Sequence, residues 1–431
     1  MARRPLAAVL TLGCKLNLAD SDQIARGLRA AGYDVVDRMC EADAYVVNTC
    51  SVTHVADAKS RRLIRSVRRL APAAAVAVTG CYPQSAAFEA AESLGADLVV
   101  GMRDPDKATL IDYLASRNRP VEFPLRTQNL ELRPGHARAL VKAQEGCNDV
   151  CAFCIVPRTR GREASRSIEM VAAEINVAVE SGAKEAVVTG TQLGAWGRDL
   201  DPPLDPARLI SGILERTEVA RIRFSSLQPQ DITPELLALW HDPRLMPHFH
   251  LALQSGSDTT LRAMRRRYSV AQFREAAARI RAAVPGAAIT TDVIAGVPGE
   301  SDADFASTLA FCEEIGFSRL HCFPYSKRSH TSAVLLPGQL AFEAIRERMQ
   351  QLLALANTLF DRFRADAEGQ VRPVLWEIER KIAGESLWSG HTDTYIPVFM
   401  PGNALRNHIT PVYLGALYDK GVRGYSPEEM L

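Results

Sequence analysis

Six of the nine cysteines in this 431-residue chain fall into two groups of three, and each group has the makings of a metal site. Cys147, Cys151 and Cys154 stand in C-x3-C-x2-C spacing within EGCNDVCAFCI, residues 145–155. Three thiolates on one tight loop can hold three corners of a [4Fe–4S] cube, which leaves the fourth iron open to a small molecule. A zinc site asks for four ligands in two pairs, and no fourth Cys or His stands close by in the sequence. Cys14, Cys50 and Cys81 are far apart in sequence, yet each directly follows an apolar run: AAVLTLGC, AYVVNTC and AVAVTGC. If those runs are strands of one parallel sheet, their carboxyl ends point the same way and the three thiols converge. Small neighbours (Gly13, Thr49 and Gly80) let the backbones approach. Cys40, Cys312 and Cys322 lack such a setting and read as small core residues.

The elements that must position these thiols follow from the hydrophobic pattern, which describes an α/β chain. In residues 1–118, strands over 7–12, 44–47, 74–78 and 97–100 alternate with helices over 21–31 and 57–70. That alternation predicts a parallel sheet flanked by helices. A polar stretch with three prolines at 118–135 reads as a linker. Over 135–367 the alternation restarts, with strands at 139–143, 185–190, 221–225, 248–253, 288–295 and 319–325 and a closing helix over 341–367. Six units predict a partial (β/α)6 barrel, because a full barrel has eight. The second cysteine group follows the first of these strands, at the carboxyl end where α/β active sites form. Over 369–431, short β-like runs at 374–379, 394–398 and 408–413 predict a small β-barrel.

Charge narrows the partners. With 51 Lys and Arg against 50 Asp and Glu, the net charge of +1 excludes a uniformly basic nucleic-acid binder. Any nucleic-acid contact must come from local patches. Candidates are Lys59, Arg61, Arg62, Arg65, Arg68 and Arg69, the run at 265–267, and Arg158, Arg160, Arg162 and Arg166. Such runs are by default solvated faces, but the last four arginines closely follow the second cysteine group and a functional role is favoured for some of them. No apolar run reaches the ~18 residues of a membrane span. Clustered cysteines in a long chain suit metal ligands in a reducing, cytoplasmic setting better than a secreted disulfide framework. The opening MARRPLAAVLTLGC also has the look of a lipoprotein cleavage segment. It is shorter than the ~15–30 residues of a secretory signal, and the strand reading is preferred.

The second cysteine motif, with Phe153 before its last Cys, resembles the signature of the radical S-adenosylmethionine (SAM) superfamily. That resemblance implies that SAM chelates the open iron and is split by one electron to a 5′-deoxyadenosyl radical. Joined to a three-cysteine α/β domain, the chain resembles the methylthiotransferase family over nearly its whole length. The matching stretches are TLGCKLN (11–17), NTCSVTHVADAKSRRLIR (48–65), TGCYPQ (79–84), RIRFSSLQP (221–229), LQSGSD (253–258), TDVIAGVPGES (291–301) and FPYSKR (323–328).

The resemblance implies two [4Fe–4S] clusters with divided labour. The one on Cys147, Cys151 and Cys154 cleaves SAM. The one on Cys14, Cys50 and Cys81 carries a sulfur that a first SAM methylates, before the radical opens C2 of an adenine to receive it. GCKLN and NTCSVT most resemble the branch acting on N6-threonylcarbamoyladenosine beside the anticodon of tRNA. Isopentenyladenosine in tRNA and an aspartate of a ribosomal protein are the sister targets, and a non-catalytic iron–sulfur RNA-binding protein is the alternative from another class. Leu18, Asp149 and Ala252 depart from the usual pattern, none of them at a cluster cysteine. Thr189, Gly190, Thr191, Ser225, Gln254 and Asp292 sit at strand ends where a SAM pocket would lie, with Phe153 beside the cluster. The terminal module resembles the TRAM domain that holds tRNA. Implied partners are tRNA, an electron donor and a sulfur donor, with no membrane.

Overall fold

The computed structural model describes residues 4–86, 88–117 and 137–429, so the expected linker at 118–135 lies outside the described residues. Strands β1 (Leu6–Thr11), β2 (Asp34–Val36), β3 (Ala44–Thr49), β4 (Ala75–Gly80) and β5 (Leu98–Val99) form one parallel sheet in the order β2-β1-β3-β4-β5. Their runs are continuously apolar because both faces are covered. Ala8, Leu10, Val47 and Val78 enter one core, while Ala7, Val9, Val46 and Ala77 enter the other.

Two expectations needed correction here. β2 was not foreseen, since three residues carry no readable period. The helix expected over 21–31 is α1, Lys15–Ala30, and it starts directly after Cys14. Its first turns hold Asn17, Asp20 and Ser21, which are buried in polar contacts and so break the apolar stripe. Helix α2 (His54–Leu70) starts where the Thr53 hydroxyl accepts from the Ala56 amide.

The middle of the chain supplies β6 (Arg138–Glu145), β7 (Ala164–Ser165), β8 (Glu185–Gly190), β9 (Arg221–Phe224), β10 (His248–His250), β11 (Ala288–Ala295) and β12 (Arg319–Pro324). They pair as β7-β6-β8-β9 and β10-β11-β12, and isolated bridges Ile222–Leu245 and Leu227–Leu251 join the two halves. Six of these strands make the expected partial barrel, and β7 is a two-residue antiparallel addition. The helix Phe342–Ala365 packs against β12.

The last segment is a closed barrel of five strands rather than the three runs expected. They are β13 (Val371–Ile382), β14 (Glu385–Thr392), β15 (Pro397–Met400), β16 (Ile409–Tyr418) and β17 (Gly421–Tyr425). β14 and β17 escaped notice because serines, glycines and charges interrupt them. The run expected at 394–398 begins only at Pro397, because Tyr395 takes a left-handed φ of 68° in the preceding turn.

This small barrel closes the amino-terminal base of the larger one. Arg221 donates to the Pro373 carbonyl (2.7 Å) and Arg223 to the carbonyls of Asp393 (2.6 Å) and Thr392 (2.8 Å). Glu185 pairs with Arg223 at 2.9 Å, both side chains 1% exposed, and Tyr395 lies over the Arg223 guanidinium at 3.5 Å. Removing one partner leaves the other charge buried and uncompensated. Arg223→Met is therefore expected to lower stability by about 3 kcal/mol or more in chemical denaturation. A change under about 0.5 kcal/mol, the range of an ordinary surface site, would show that the contact does not hold the two barrels together.

Candidate active site

The first cysteine group sits where three parallel strands end. Cys14 follows β1 and stands at the start of α1, Cys50 follows β3, and Cys81 follows β4. Cys14 is exposed, whereas Cys50 and Cys81 are buried. The strand ends are drawn together by specific contacts. The Asn17 amide donates to the carbonyls of Leu12 (2.9 Å) and Thr49 (2.8 Å), stitching β1 to β3. The Thr49 hydroxyl donates to the Thr79 carbonyl at 2.6 Å, stitching β3 to β4.

Glycine is required twice in this stitching. A Cβ on Gly13 (φ +114°) would stand 2.9 Å from the Cys50 Cβ, and one on Gly80 (φ +107°) would stand 2.2 Å from the Thr49 carbonyl oxygen. The close approach expected at these positions is thus an approach of one strand end to the next.

Arg160, six residues past Cys154, reaches into this first group from the other domain. It is 7% exposed and donates to Asn17 Oδ1 (2.7 Å), the oxygen that also accepts from the Cys14 thiol (3.6 Å). Asp20 and Glu145 hold the same guanidinium at 3.4 and 2.7 Å, and Lys142 bridges those two carboxylates. Burial raises the Cys50 thiol above its usual value and pushes Cys81 up to about 11, while the Arg160 charge opposes both shifts.

The second group lies on the loop after β6, at the carboxyl end of the barrel. The Cys147 amide donates to the Gly161 carbonyl (3.1 Å), and its thiol donates to Gln192 Oε1 (3.5 Å). Gln144 Oε1 accepts from the Gln192 backbone N–H at 3.1 Å and so positions that residue. Arg266 is the second cation seated beside a thiol. It donates to the Cys151 sulfur at 3.2 Å and to the Tyr268 hydroxyl at 3.0 Å. Burial pushes the Cys147 thiol up to about 11 and Cys154 up to about 12. Loading iron on either group must displace protons from the buried thiols.

Both groups suit an anionic iron–sulfur cube: three sulfurs from short, stitched loops, each set with an arginine beside it. Among the described residues no three Cys, His, Asp or Glu side chains converge tightly enough for a single metal ion. A cube differs from one ion in placing each thiolate on its own corner. The buried Thr191 hydroxyl, just before Gln192, has no hydrogen-bond partner among the described residues.

The expected SAM-pocket residues divide. Thr189 accepts from the Ser225 hydroxyl (3.4 Å), both buried at the ends of β8 and β9. Gly190 abuts Gln144, Oε1 of which would lie 3.0 Å from an added Cβ. Phe153 is half-buried between the second and third thiols. Gln254, in a left-handed conformation (φ 71°), uses its backbone to join β11 through Asp292 and Ile294. The Asp292 carboxylate turns to His250 at 3.4 Å, towards a cavity lined by Lys15 and three histidines of the barrel. Asp149, one of the departures noted above, is held by Arg267 at 3.0 Å.

The basic runs also divide. Arg68 is structural, bound to the Gly95 carbonyl and to Asp97, and Arg166 pairs with Glu174. Lys59, Arg62, Arg65 and Arg69 lie exposed along α2 with no ion pair among the described residues. Arg158 and Arg162 are exposed as well. Arg160 belongs to the group of arginines after the second cysteine motif for which a functional role was expected, Arg266 to a run read by default as a solvated face, and their seating beside thiols sets both apart. No helix among the described residues is long and apolar enough to cross a membrane.

Comparison with known proteins agrees with this architecture. Residues 7–101 match the family described as uncharacterized protein family UPF0004, and residues 141–312 match the radical SAM superfamily. The chain is 36% identical over 404 residues to the threonylcarbamoyladenosine tRNA methylthiotransferase MtaB of Bacillus subtilis, covering 91% of this chain and 89% of the relative. Its namesake in Thermotoga maritima is 33% identical, covering 96% and 95%. The tRNA-2-methylthio-N(6)-dimethylallyladenosine synthase of Thermobifida fusca is 35% identical, covering 85% and 77%. Among solved structures, the radical SAM methyltransferase TsrM of Kitasatospora setae shares the fold with a TM-score of 0.55 at 14% identity, over 77% of each chain.

Proposed function

The chain belongs to the radical SAM tRNA methylthiotransferases, and from that premise we propose that it methylthiolates C2 of N6-threonylcarbamoyladenosine next to the anticodon. It is an enzyme that works with SAM and [4Fe–4S] clusters on tRNA. The observation that carries the reading is the pair of three-thiol sites, one on each side of a domain interface crossed by Arg160.

In this proposal Cys147, Cys151 and Cys154 hold the cluster that binds SAM, and Cys14, Cys50 and Cys81 hold the cluster that carries sulfur. When bound, these groups supply one-electron chemistry together with the methyl and sulfur that are transferred. The chain's own residues set the stage. Arg266 places positive charge on the outer thiol of the second site, and Gln192 orients the inner one. Asn17 and Arg160 fix the first site against the barrel, so the two clusters keep one separation. Thr189, Gly190, Ser225 and Gln254 line the strand ends between them, where SAM would lie.

The exposed cations of α2 and the terminal five-stranded, TRAM-like barrel suit contacts with RNA phosphates. A cytoplasmic setting, with an electron donor and a sulfur donor still to be identified, belongs to the same reading.

The threonylcarbamoyl branch is supported by GCKLN and NTCSVT and by the relatives that carry that name. The similarity to dimethylallyladenosine synthases keeps the isopentenyl target as the second reading. Mass spectrometry of tRNA nucleosides from cells with and without the gene separates them. Loss of 2-methylthio-N6-threonylcarbamoyladenosine alone is expected. Loss of the isopentenyl counterpart instead would move the chain to the sister branch, and unchanged tRNA would point to a protein target.

A further inference from the structure

A cavity of about 210 Å³ lies between the start of α1, the barrel strands and the terminal barrel. Lys15, the residue after Cys14, reaches into it from α1, and Arg319 and His321 of β12 line the opposite wall. Lys15 and Arg319 have no carboxylate within ion-pair distance among the described residues. Their charged ends lie over aromatic rings, Tyr395 at 5.9 Å and Phe360 at 5.4 Å. The acids nearby are already engaged: Asp292 by His250, Glu377 by Arg138, and Glu185 by Arg223. Two of the imidazoles, His248 and His321, add neutral polar groups. Burial lowers His321 to about 4, so its ring is uncharged near neutrality, and His248, 4% exposed, has an Nδ1 without a partner.

We infer that this cavity seats the N6 substituent of the substrate base, with Lys15 and Arg319 taking its carboxylate. The inference rests on the threonylcarbamoyl reading above and deepens it. That substituent carries one carboxylate, one hydroxyl and a ureido group. The carboxylate meets the two cations that lack an acid partner, and the hydroxyl and ureido N–H groups meet the neutral imidazoles. An isopentenyl group offers only hydrocarbon. It would strip water from two charges and several ring nitrogens with nothing in return. Position fits as well: C6, which bears N6, and C2 flank the same ring nitrogen of adenine, and Lys15 directly follows Cys14 in the chain.

The test is the affinity of the holoenzyme for anticodon stem–loop RNA carrying either N6-threonylcarbamoyladenosine or plain adenosine. Wild type is expected to prefer the modified RNA by about tenfold or more, the worth of a hydrogen bond to a charged group. Lys15→Met should lose most of that preference and Lys15→Arg should restore it. Capping the carboxylate as its amide should erase the preference in the unaltered protein, a measurement that needs no variant. If Lys15→Met weakens both RNAs equally, the lysine meets a backbone phosphate and the inference falls. If wild type prefers the modified RNA while Lys15→Met and the amide leave that preference intact, the inference falls and the substrate reading stands. If wild type shows no preference and leaves the modified RNA unmethylthiolated, the substrate reading falls with it.

Discussion

Cys151→Ala is expected to bring release of 5′-deoxyadenosine from SAM down to background in an anaerobic assay with a chemical reductant. In the proposed assignment the residue supplies one of three corners to a cube, and two remaining thiols would not hold the fourth iron open in a fixed place. The loss should be chemical and not structural. The loop is pinned independently by the Ala152 amide on the Met264 carbonyl (2.9 Å) and the Ala333 amide on the Ala152 carbonyl (2.8 Å). Far-ultraviolet circular dichroism of the variant should therefore match wild type. Release of 5′-deoxyadenosine near the wild-type rate would sink the assignment of SAM cleavage to this loop.

Cys50→Ala separates the two sites. It should abolish the methylthiolated nucleoside while 5′-deoxyadenosine continues to form, and reconstituted iron should fall from about eight to about four per chain. The separation is expected because the second loop takes its supports from the barrel: Gln192 on Cys147 and Arg266 on Cys151. Arg160, which bridges the two sites, contacts Asn17 and not Cys50 by any hydrogen bond of its own. Loss of both products would mean that Cys50 supports the domain interface and that the clusters are not independent.

Much of this arrangement could be read from the chain because buried parallel strands are continuous apolar runs with abrupt ends. AAVLTLGC, AYVVNTC and AVAVTGC end in their cysteines for the same reason that β1, β3 and β4 end side by side. The partial barrel was legible from six repeats of the same unit. What escaped depended on contacts between segments remote in sequence. Asn17 and Asp20 look like breaks in the stripe of α1 until Arg160, over a hundred residues away, is seen to bond both. Arg266 sits in an ordinary basic run, and nothing in 265–267 says that its middle member turns inward to Cys151. Lys15 was visible only as part of GCKLN; its lack of an acid partner is a property of the cavity and not of the motif. β14 and β17 were missed because a five-stranded closed barrel this small tolerates glycines and charges in its strands, which erases the two-residue period.

The small barrel at the base also imposes an order on biosynthesis. A ribosome delivers residues at about 5–20 per second, amino terminus first. Both cysteine groups have therefore emerged long before the carbonyls of Thr392 and Asp393 that satisfy Arg223. Until those carbonyls arrive, the floor of the larger barrel keeps Glu185, Arg221 and Arg223 open to water. A nascent chain thus presents six thiols on an unfinished scaffold. Iron delivered during synthesis meets a floppy chelator, and iron delivered after release meets a finished socket.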